Sequence, residues 1–256
     1  MDVVPAPSAV VDRLRAAGCV FAEDEAALLV AAAGTPGLLD DLVGRRMSGE
    51  PLEQLLGWAA FDGLRIAVAP GVFVPRRRTE LLVGEAAALV RPGAVVVDLC
   101  CGSGAVGAAL LARFPGLVLH AADLDPAAVR CARANLSGVP VHEGDLFAAL
   151  PAELRGRVDV LVANVPYVPT PALALLPPEA REHEPRAALD GGDDGLDVAR
   201  RVAAGTGEWL APGGSLLFET GEVQVPAAVA ILTAAGLDPR VVADEERGAT
   251  VVVGTC

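Results

Sequence analysis

The chain has 256 residues, 53% of them apolar, and a formal net charge of −13 in which all 20 basic side chains are Arg. That length fits one large α/β domain with a small appendage, and the apolar fraction can fill a sizeable core. No apolar run approaches the roughly 20 residues of a membrane span. An acidic chain is also a poor general binder of phosphate backbones, so neither a membrane nor a nucleic-acid partner is expected beyond what a local Arg patch could hold. Cys19, Cys100, Cys101, Cys131 and Cys256 are odd in number and show no Cys-x-x-Cys spacing. They read as reduced thiols, not as a disulfide framework or a zinc site. The opening Met1-Asp2-Val3-Val4-Pro5 lacks the basic n-region of a secretory signal, and a cytoplasmic location is expected.

From about Ser8 to Glu53 the pattern is helical. Val10, Val11 and Leu14 share a face, Ala26 to Ala33 is stopped by Gly34-Thr35-Pro36-Gly37, and Leu38 to Met47 makes a third helix. The Phe61-Asp62-Gly63 turn between two short strand-like runs predicts a β-hairpin. Arg76-Arg77-Arg78 is either a solvated basic face or a contact with a carboxylate or an acidic partner, and Thr79 or a neighbouring Arg opens a helix running to about Val90. Strands are then predicted at 95–99, 117–122, 139–143, 158–163, 215–219, 240–243 and 250–254, and helices at 105–113, 126–136, 198–210 and 225–235. Residues 168–196 form a long loop, and Pro212-Gly213-Gly214 turns into the fifth strand. Strands alternating with helices argue a parallel, doubly wound sheet, its last two strands an antiparallel edge. The division expected is a helical domain over 1–56, a hairpin linker over 57–75 and the main domain over 76–256.

The chain centres on Val95-Val96-Val97-Asp98-Leu99-Cys100-Cys101-Gly102-Ser103-Gly104, a β-branched run that passes through glycines into a helix. The glycines permit a tight turn and let a ligand approach without a Cβ in the way. Asp123 follows about 20 residues later at the end of the next strand, where a carboxylate can accept both hydroxyls of a ribose. The alternative for Asp123 is helix capping, the role given to Asp125 ahead of Pro126. Ligands of open α/β sheets sit at the carboxyl ends of the strands. Gly102 to Gly104, Asp123, Asp145 and Asn164-Val165-Pro166-Tyr167 all fall there. His120, His142 and His183 are scattered and structural or exposed, and no metal constellation is seen.

Together these features resemble the class I S-adenosylmethionine-dependent methyltransferases. In detail the chain is similar to the HemK/PrmC family, which methylates glutamine N5 in peptide-chain release factors. The matching runs extend from Glu50-Pro51-Leu52 through Pro70-Gly71-Val72-Phe73-Val74-Pro75-Arg76, Asp98-Leu99 with Gly102-Ser103-Gly104, and Gly144-Asp145-Leu146-Phe147, to Glu184-Pro185-Arg186 and Asp190-Gly191-Gly192-Asp193-Asp194-Gly195-Leu196. The resemblance implies a Rossmann-like seven-stranded domain with helices on both faces, behind a helical domain and a β-hairpin. It implies S-adenosylmethionine as cofactor, held by Asp98, Cys100, Cys101, Gly102, Ser103, Gly104, Asp123, Leu124, Asp145, Leu146 and Asn164. In this assignment Gly102 and Gly104 lie beside the methionine part, Asp123 holds the ribose, and Asp145 with Leu146 flanks the adenine. Asn164, Val165, Pro166 and Tyr167 hold the amide to be methylated, in a protein partner such as a release factor. Three places depart from the family's pattern. Its Asn-Pro-Pro-Tyr is Asn164-Val165-Pro166-Tyr167, its Pro-Glu after the first Arg is Arg77-Arg78, and the turn before the last strand reads Glu246-Arg247-Gly248-Ala249.

Methyl transfer from a sulfonium is an in-line displacement, so aiming the nucleophile is the main task. Acceptors on the two amide hydrogens orient a poor nucleophile, and Asn164 with the carbonyl of Val165 supplies them. Val165 keeps that carbonyl while relaxing the fixed φ of a proline, and Pro166 biases it toward an extended conformation. Tyr167 offers a flat face to a planar group. Three alternatives remain open: adenine-N6 methylation of a nucleic acid with a flipped base, methylation of a small-molecule nitrogen, and a nicotinamide dehydrogenase or non-catalytic cofactor-binding module.

Overall fold

The computed structural model describes residues 7–256. The expectation placed on Met1 to Pro5, and the first residues of the 1–56 segment, lie outside them. Four helices open the chain, α1 (Pro7–Ala16), α2 (Ala22–Ala32), α3 (Pro36–Met47) and α4 (Leu52–Leu56). Thr35 caps α3 by accepting from the Leu38 N–H. Val10, Leu14, Leu29, Leu39 and Val43 form a core of their own between these helices. Arg46 of α3 is buried and donates at 2.6 Å to Glu25 of α2 and at 2.5 Å to Glu179. It therefore ties the helical segment to the 168–196 stretch far along the chain.

The hairpin pairs β1 (Trp58–Phe61) with β2 (Leu64–Ala67) around Asp62 and Gly63, both at positive φ. Such a two-residue turn matches the twist of the strands it joins. After it, Arg77–Thr79 is a single 3-10 turn and α5 runs Glu80–Leu89. Thr79 does not cap that helix, because its hydroxyl is committed to Glu219 at 2.8 Å.

The sheet has seven strands: β3 (Val95–Leu99), β4 (Val118–Asp123), β5 (Val141–Glu143), β6 (Val158–Ala163), β7 (Leu210–Glu219), β8 (Asp238–Asp244) and β9 (Ala249–Thr255). Their order is β5-β4-β3-β6-β7-β9-β8, parallel throughout except that β9 runs antiparallel to both its neighbours. Residues alternate between two cores along each central strand. Val96, Val160 and Leu217 join one core with Leu82 and Leu110, whereas Val97, Leu161 and Leu216 join the other with Trp209 and Phe218. Helices α5, α6 (Ala105–Arg113) and α7 (Pro126–Asn135) cover the first face, and α9 (Asp197–Trp209) and α10 (Val225–Ala234) the second. This two-sided burial explains the near-continuous apolar runs of the central strands.

Two expected elements differ. The fifth large strand starts at Leu210, not Ser215, because Leu210 already pairs with Val158; Pro212-Gly213-Gly214 is an excursion inside the strand. Residues 168–196 carry 3-10 turns at Thr170–Leu175 and Arg186–Ala188 and a short helix α8 (Pro178–His183). Prolines 169, 171, 177, 178 and 185 punctuate that segment and hid its short helical turns from the sequence pattern.

Candidate active site

The chain runs outward from β3 to β5 and returns to β6, so the strand order reverses between β3 and β6. At that switch point, outside the carboxyl ends of the strands, lies a cavity of about 380 Å³. Its lining includes Asp98, Cys100, Cys101, Gly102, Ser103, Asp123, Leu124, Asp145, Leu146, Asn164, Val165, Pro166 and Tyr167. Of the sequence-predicted residues only Gly104 is outside the wall. A Cβ there would meet Leu136 Cδ1 at 2.9 Å and Ala132 Cβ at 3.2 Å, and its φ is +77°. Gly104 thus makes room for α7, whereas Gly102, with open space where its Cβ would be, is the glycine that faces the cavity. Spacing could not separate the two, because it does not tell on which side of the turn a side chain would stand.

The glycine corner is anchored from two directions. Asp123 accepts from the Gly102 N–H at 2.8 Å and from the Asp125 N–H at 2.9 Å, while Asp125 caps α7 by accepting from Ala127. The capping alternative therefore belongs to Asp125, and Asp123 ties the end of β4 to the corner. Burial pushes the Asp123 carboxyl above the usual carboxylate range. Asn135 of α7 donates to the carbonyls of Ser103 and Ala67 and accepts from the Ala67 N–H, so the hairpin and the corner share one side chain.

Asp98 is the most unusual group in the site. Its side chain is buried, Oδ2 accepts from the Gly107 N–H at 3.0 Å, and Oδ1 has no partner among the described residues. Burial above all, reinforced by the nearby Asp123, raises its pKa to about 7 against the opposing Gly107 hydrogen bond. A buried polar atom without a partner costs free energy, and this one borders the cavity. Cys100, at φ +55°, and Leu146, at φ +47°, add backbone strain around the same rim.

At the other end of the cavity, the Tyr167 hydroxyl donates to Glu219 Oε1 at 2.5 Å. Glu219 is buried and also accepts from Arg78 Nε at 2.9 Å and from Thr79. Arg76 donates to both oxygens of buried Glu184, which also takes the Val74 N–H. Two of the three consecutive arginines are therefore satisfied by carboxylates of this chain, which decides between the alternatives the run left open; Arg77 stays exposed. Arg201 of α9 reaches Asp145 at 2.6 Å along the wall opposite. Sequence reasoning missed Glu219, Asn135 and Arg201. Only Glu219 left a signal, a lone acid ending the buried run Leu216-Leu217-Phe218.

The 190–196 run brackets the loop that follows β6. Val168 and Asp190 form a parallel bridge, and Gly191 donates to the Val168 carbonyl at 2.9 Å. A Cβ at Gly195 would stand 2.3 Å from the Tyr167 carbonyl oxygen, and the φ there is +81°. The histidines are less scattered than the sequence suggests, since His120 and His142 stack on neighbouring strands with ring nitrogens 3.1 Å apart, but they lie outside the cavity wall.

The comparisons place this chain among the class I S-adenosylmethionine-dependent methyltransferases. Residues 63–174 match the Methyltransferase small domain family. A release factor glutamine methyltransferase of Geobacter sulfurreducens is 39% identical, the match covering 83% of this chain and 75% of that one. A 4-amino-L-phenylalanine/4-methylamino-L-phenylalanine methyltransferase of Streptomyces pristinaespiralis is 40% identical over 76% of this chain and 69% of its own length. A solved methyltransferase of Pyrococcus furiosus shares the fold with a TM-score of 0.57 at 16% identity, covering 75% of this chain and 89% of that one. The chain belongs to the release factor glutamine methyltransferase family.

Replacing Gly195 by Ala forces the Tyr167 backbone to move while leaving the glycine corner alone. The variant should lose about 1–3 kcal/mol in a denaturant melt, the usual range for overpacking, and keep its S-adenosylmethionine affinity by calorimetry. Wild-type stability would contradict the close packing described.

Proposed function

We propose that the chain transfers a methyl group from S-adenosylmethionine to the side-chain amide nitrogen of a glutamine in a protein acceptor, a peptide-chain release factor as in the names of its relatives. The observation that carries this reading is the position of Asn164. It borders the same cavity as Gly102 and Asp123, and the next residue in register on β3 is Cys100, because Leu99 pairs with Ala163.

The residues fit the donor. An orphaned, buried carboxyl oxygen at Asp98 suits a cationic amino group, and the side-chain-free face of Gly102 suits a close backbone approach. Asp98 and Gly102 would hold the methionine part, Asp123 the ribose, and Asp145 and Leu146 the adenine, with Cys100, Cys101, Ser103 and Leu124 as walls. Arg201 would hold Asp145 in place. When bound, the donor supplies a methyl carbon already activated by a cationic sulfur. The protein's part is to place the acceptor nitrogen. The Asn164 side-chain carbonyl and the Val165 main-chain carbonyl accept the two amide hydrogens, which turns the nitrogen lone pair toward the donor and offsets the charge that grows on it. The planar amide packs on Tyr167.

An amine of a small molecule is a second acceptor class. It is favoured by the 40% identity to the enzyme named for 4-amino-L-phenylalanine. In this acidic chain the three arginines that line the cavity, Arg76, Arg78 and Arg201, are each paired with a carboxylate, which does not favour a nucleic-acid acceptor.

With labelled S-adenosylmethionine and a purified bacterial release factor, label should enter a glutamine of the factor. The Asn164→Ala protein should transfer on the order of 100-fold more slowly, with a far smaller change in donor affinity by calorimetry. Label confined to free amino acids or to nucleic acid would overturn the acceptor assignment, and full turnover by the variant would overturn the role of Asn164.

Asp98 also generates a pH dependence. Its folded-state pKa, about 7, lies above the usual carboxylate value, so the ligand-free protein holds this proton more tightly folded than unfolded and gains stability as pH falls from about 7 toward 4. Donor binding has the opposite sign, because the cationic amino group requires the ionised carboxylate. Affinity should fall as pH drops below about 7 in the wild type and become flat in Asp98→Asn. A variant that keeps the wild-type pH profile would contradict this role.

A further inference from the structure

Tyr167 is the only tyrosine of the chain, and it is held at both ends by residues that no sequence motif above assigned. Its hydroxyl donates to Glu219. Its carbonyl accepts from Gln224 Nε2 at 2.9 Å, and the same amide donates to the Asp194 carbonyl at 2.8 Å. Gln224 is itself fixed, its oxygen accepting from the Gly221 N–H at 2.9 Å and from the Thr220 hydroxyl. Glu219 and Gln224 flank the short link between β7 and α10, and both are buried. On the far side, the Arg78 guanidinium stands 5.8 Å from the centre of the Tyr167 ring while its Nε holds Glu219.

We infer that Glu219 and Gln224 are positioning residues that set the tilt and depth of Tyr167, and through it the placement of the acceptor nitrogen. The inference rests on the proposed reading of Asn164 to Tyr167 as the acceptor loop. The physical need arises at Val165. A proline there would restrict φ through its ring, whereas Val165 leaves that torsion free. Pro166 still narrows the choices, and the two clamps remove what freedom is left at the residue that presents the flat face. The Glu219 clamp is charge-assisted, hence short and directional, and Arg78 and Thr79 keep its carboxylate from swinging away. The Gln224 clamp ties the loop to the 190–196 bracket through one amide that donates to both. In the near-attack picture a displacement of about 1 Å costs on the order of 100-fold in rate, so a clamp that never touches the reacting atoms can still control turnover.

A single tyrosine makes the idea directly measurable. Burial, and after it the Glu219 carboxylate, push the Tyr167 phenol above its ordinary value, while Arg78 opposes the shift. These are the charged groups that face the phenol. In a spectrophotometric titration near 295 nm, under conditions where circular dichroism shows the fold intact, the wild-type phenol should stay protonated well past pH 10, the usual tyrosine value. In Glu219→Gln, which keeps the shape and a hydrogen-bond acceptor but removes the charge, the curve should move down by roughly one to three pH units. In the same variant kcat toward the labelled release factor should fall at least about 10-fold with donor affinity unchanged, and Gln224→Ala should lower kcat while leaving the phenol curve nearly where it was. A wild-type phenol titrating near 10, or an unmoved curve in Glu219→Gln, would refute the clamp whatever the acceptor proves to be. A moved curve with wild-type kcat would refute positioning alone. Absence of release-factor methylation by the wild type would instead strike the proposed acceptor and leave the titration result standing.

Discussion

Val96 to Leu99 of β3 pair in parallel with Val160 to Ala163 of β6, although 64 positions of chain separate the partners. Because the strands run the same way and in this register, Cys100 and Asn164 leave the sheet side by side. The glycine corner follows one strand and the Asn164–Tyr167 loop the other, so both reach the same cavity wall. The neighbouring pairings, Leu99 with Ala122 and Ala163 with Phe218, add Asp123 and Glu219 to the same rim. A shift of one residue between β3 and β6 would turn every side chain of the moved strand to the opposite core. The alternating burial of Val96 and Val97, and of Val160 and Leu161, therefore fixes the site as firmly as it fixes the fold.

The rim is also where the protein gives up stability. Asp98 is buried with one oxygen unpartnered, and Cys100 and Leu146 hold positive φ without being glycine. Residues in such conformations cost of order 1–3 kcal/mol each and persist only where the surroundings hold them. Here the surroundings are specific: Asp123 on the Gly102 N–H, Asn135 on the Ser103 carbonyl, and Arg201 on Asp145 next to Leu146. At the far end of the cavity the ion pairs Arg76 with Glu184 and Arg78 with Glu219 each join a partly exposed guanidinium to a buried carboxylate. A second anchor, Arg46 between Glu25 and Glu179, reaches the same loop from the helical segment.

The parts of this arrangement that follow from local pattern were legible in the sequence. The strand–glycine–helix corner, the acid at the end of the second strand, the cap at Asp125 and the Asn164 turn all declared themselves through spacing. What was illegible depends on which side of the backbone faces a distant element. Gly102 and Gly104 look alike in the chain, yet one faces the cavity and the other faces Leu136. Arg76 and Arg78 read equally well as a solvated face, because Glu184 and Glu219 stand more than a hundred residues away. The short helix within 168–196 was masked by its prolines. The early start of β7 was masked by Pro212-Gly213-Gly214, which looks like a strand boundary and lies inside one.

The claim on which the account turns is that donor and acceptor groups share one cavity at the β3–β6 switch point. A crystal structure with S-adenosylhomocysteine bound tests it most directly. The account predicts the ribose hydroxyls on Asp123, the amino group beside Asp98, and the sulfur turned toward the Asn164 side chain across Gly102. A nucleoside lodged elsewhere, or an Asn164 side chain directed away from the sulfur, would contradict it.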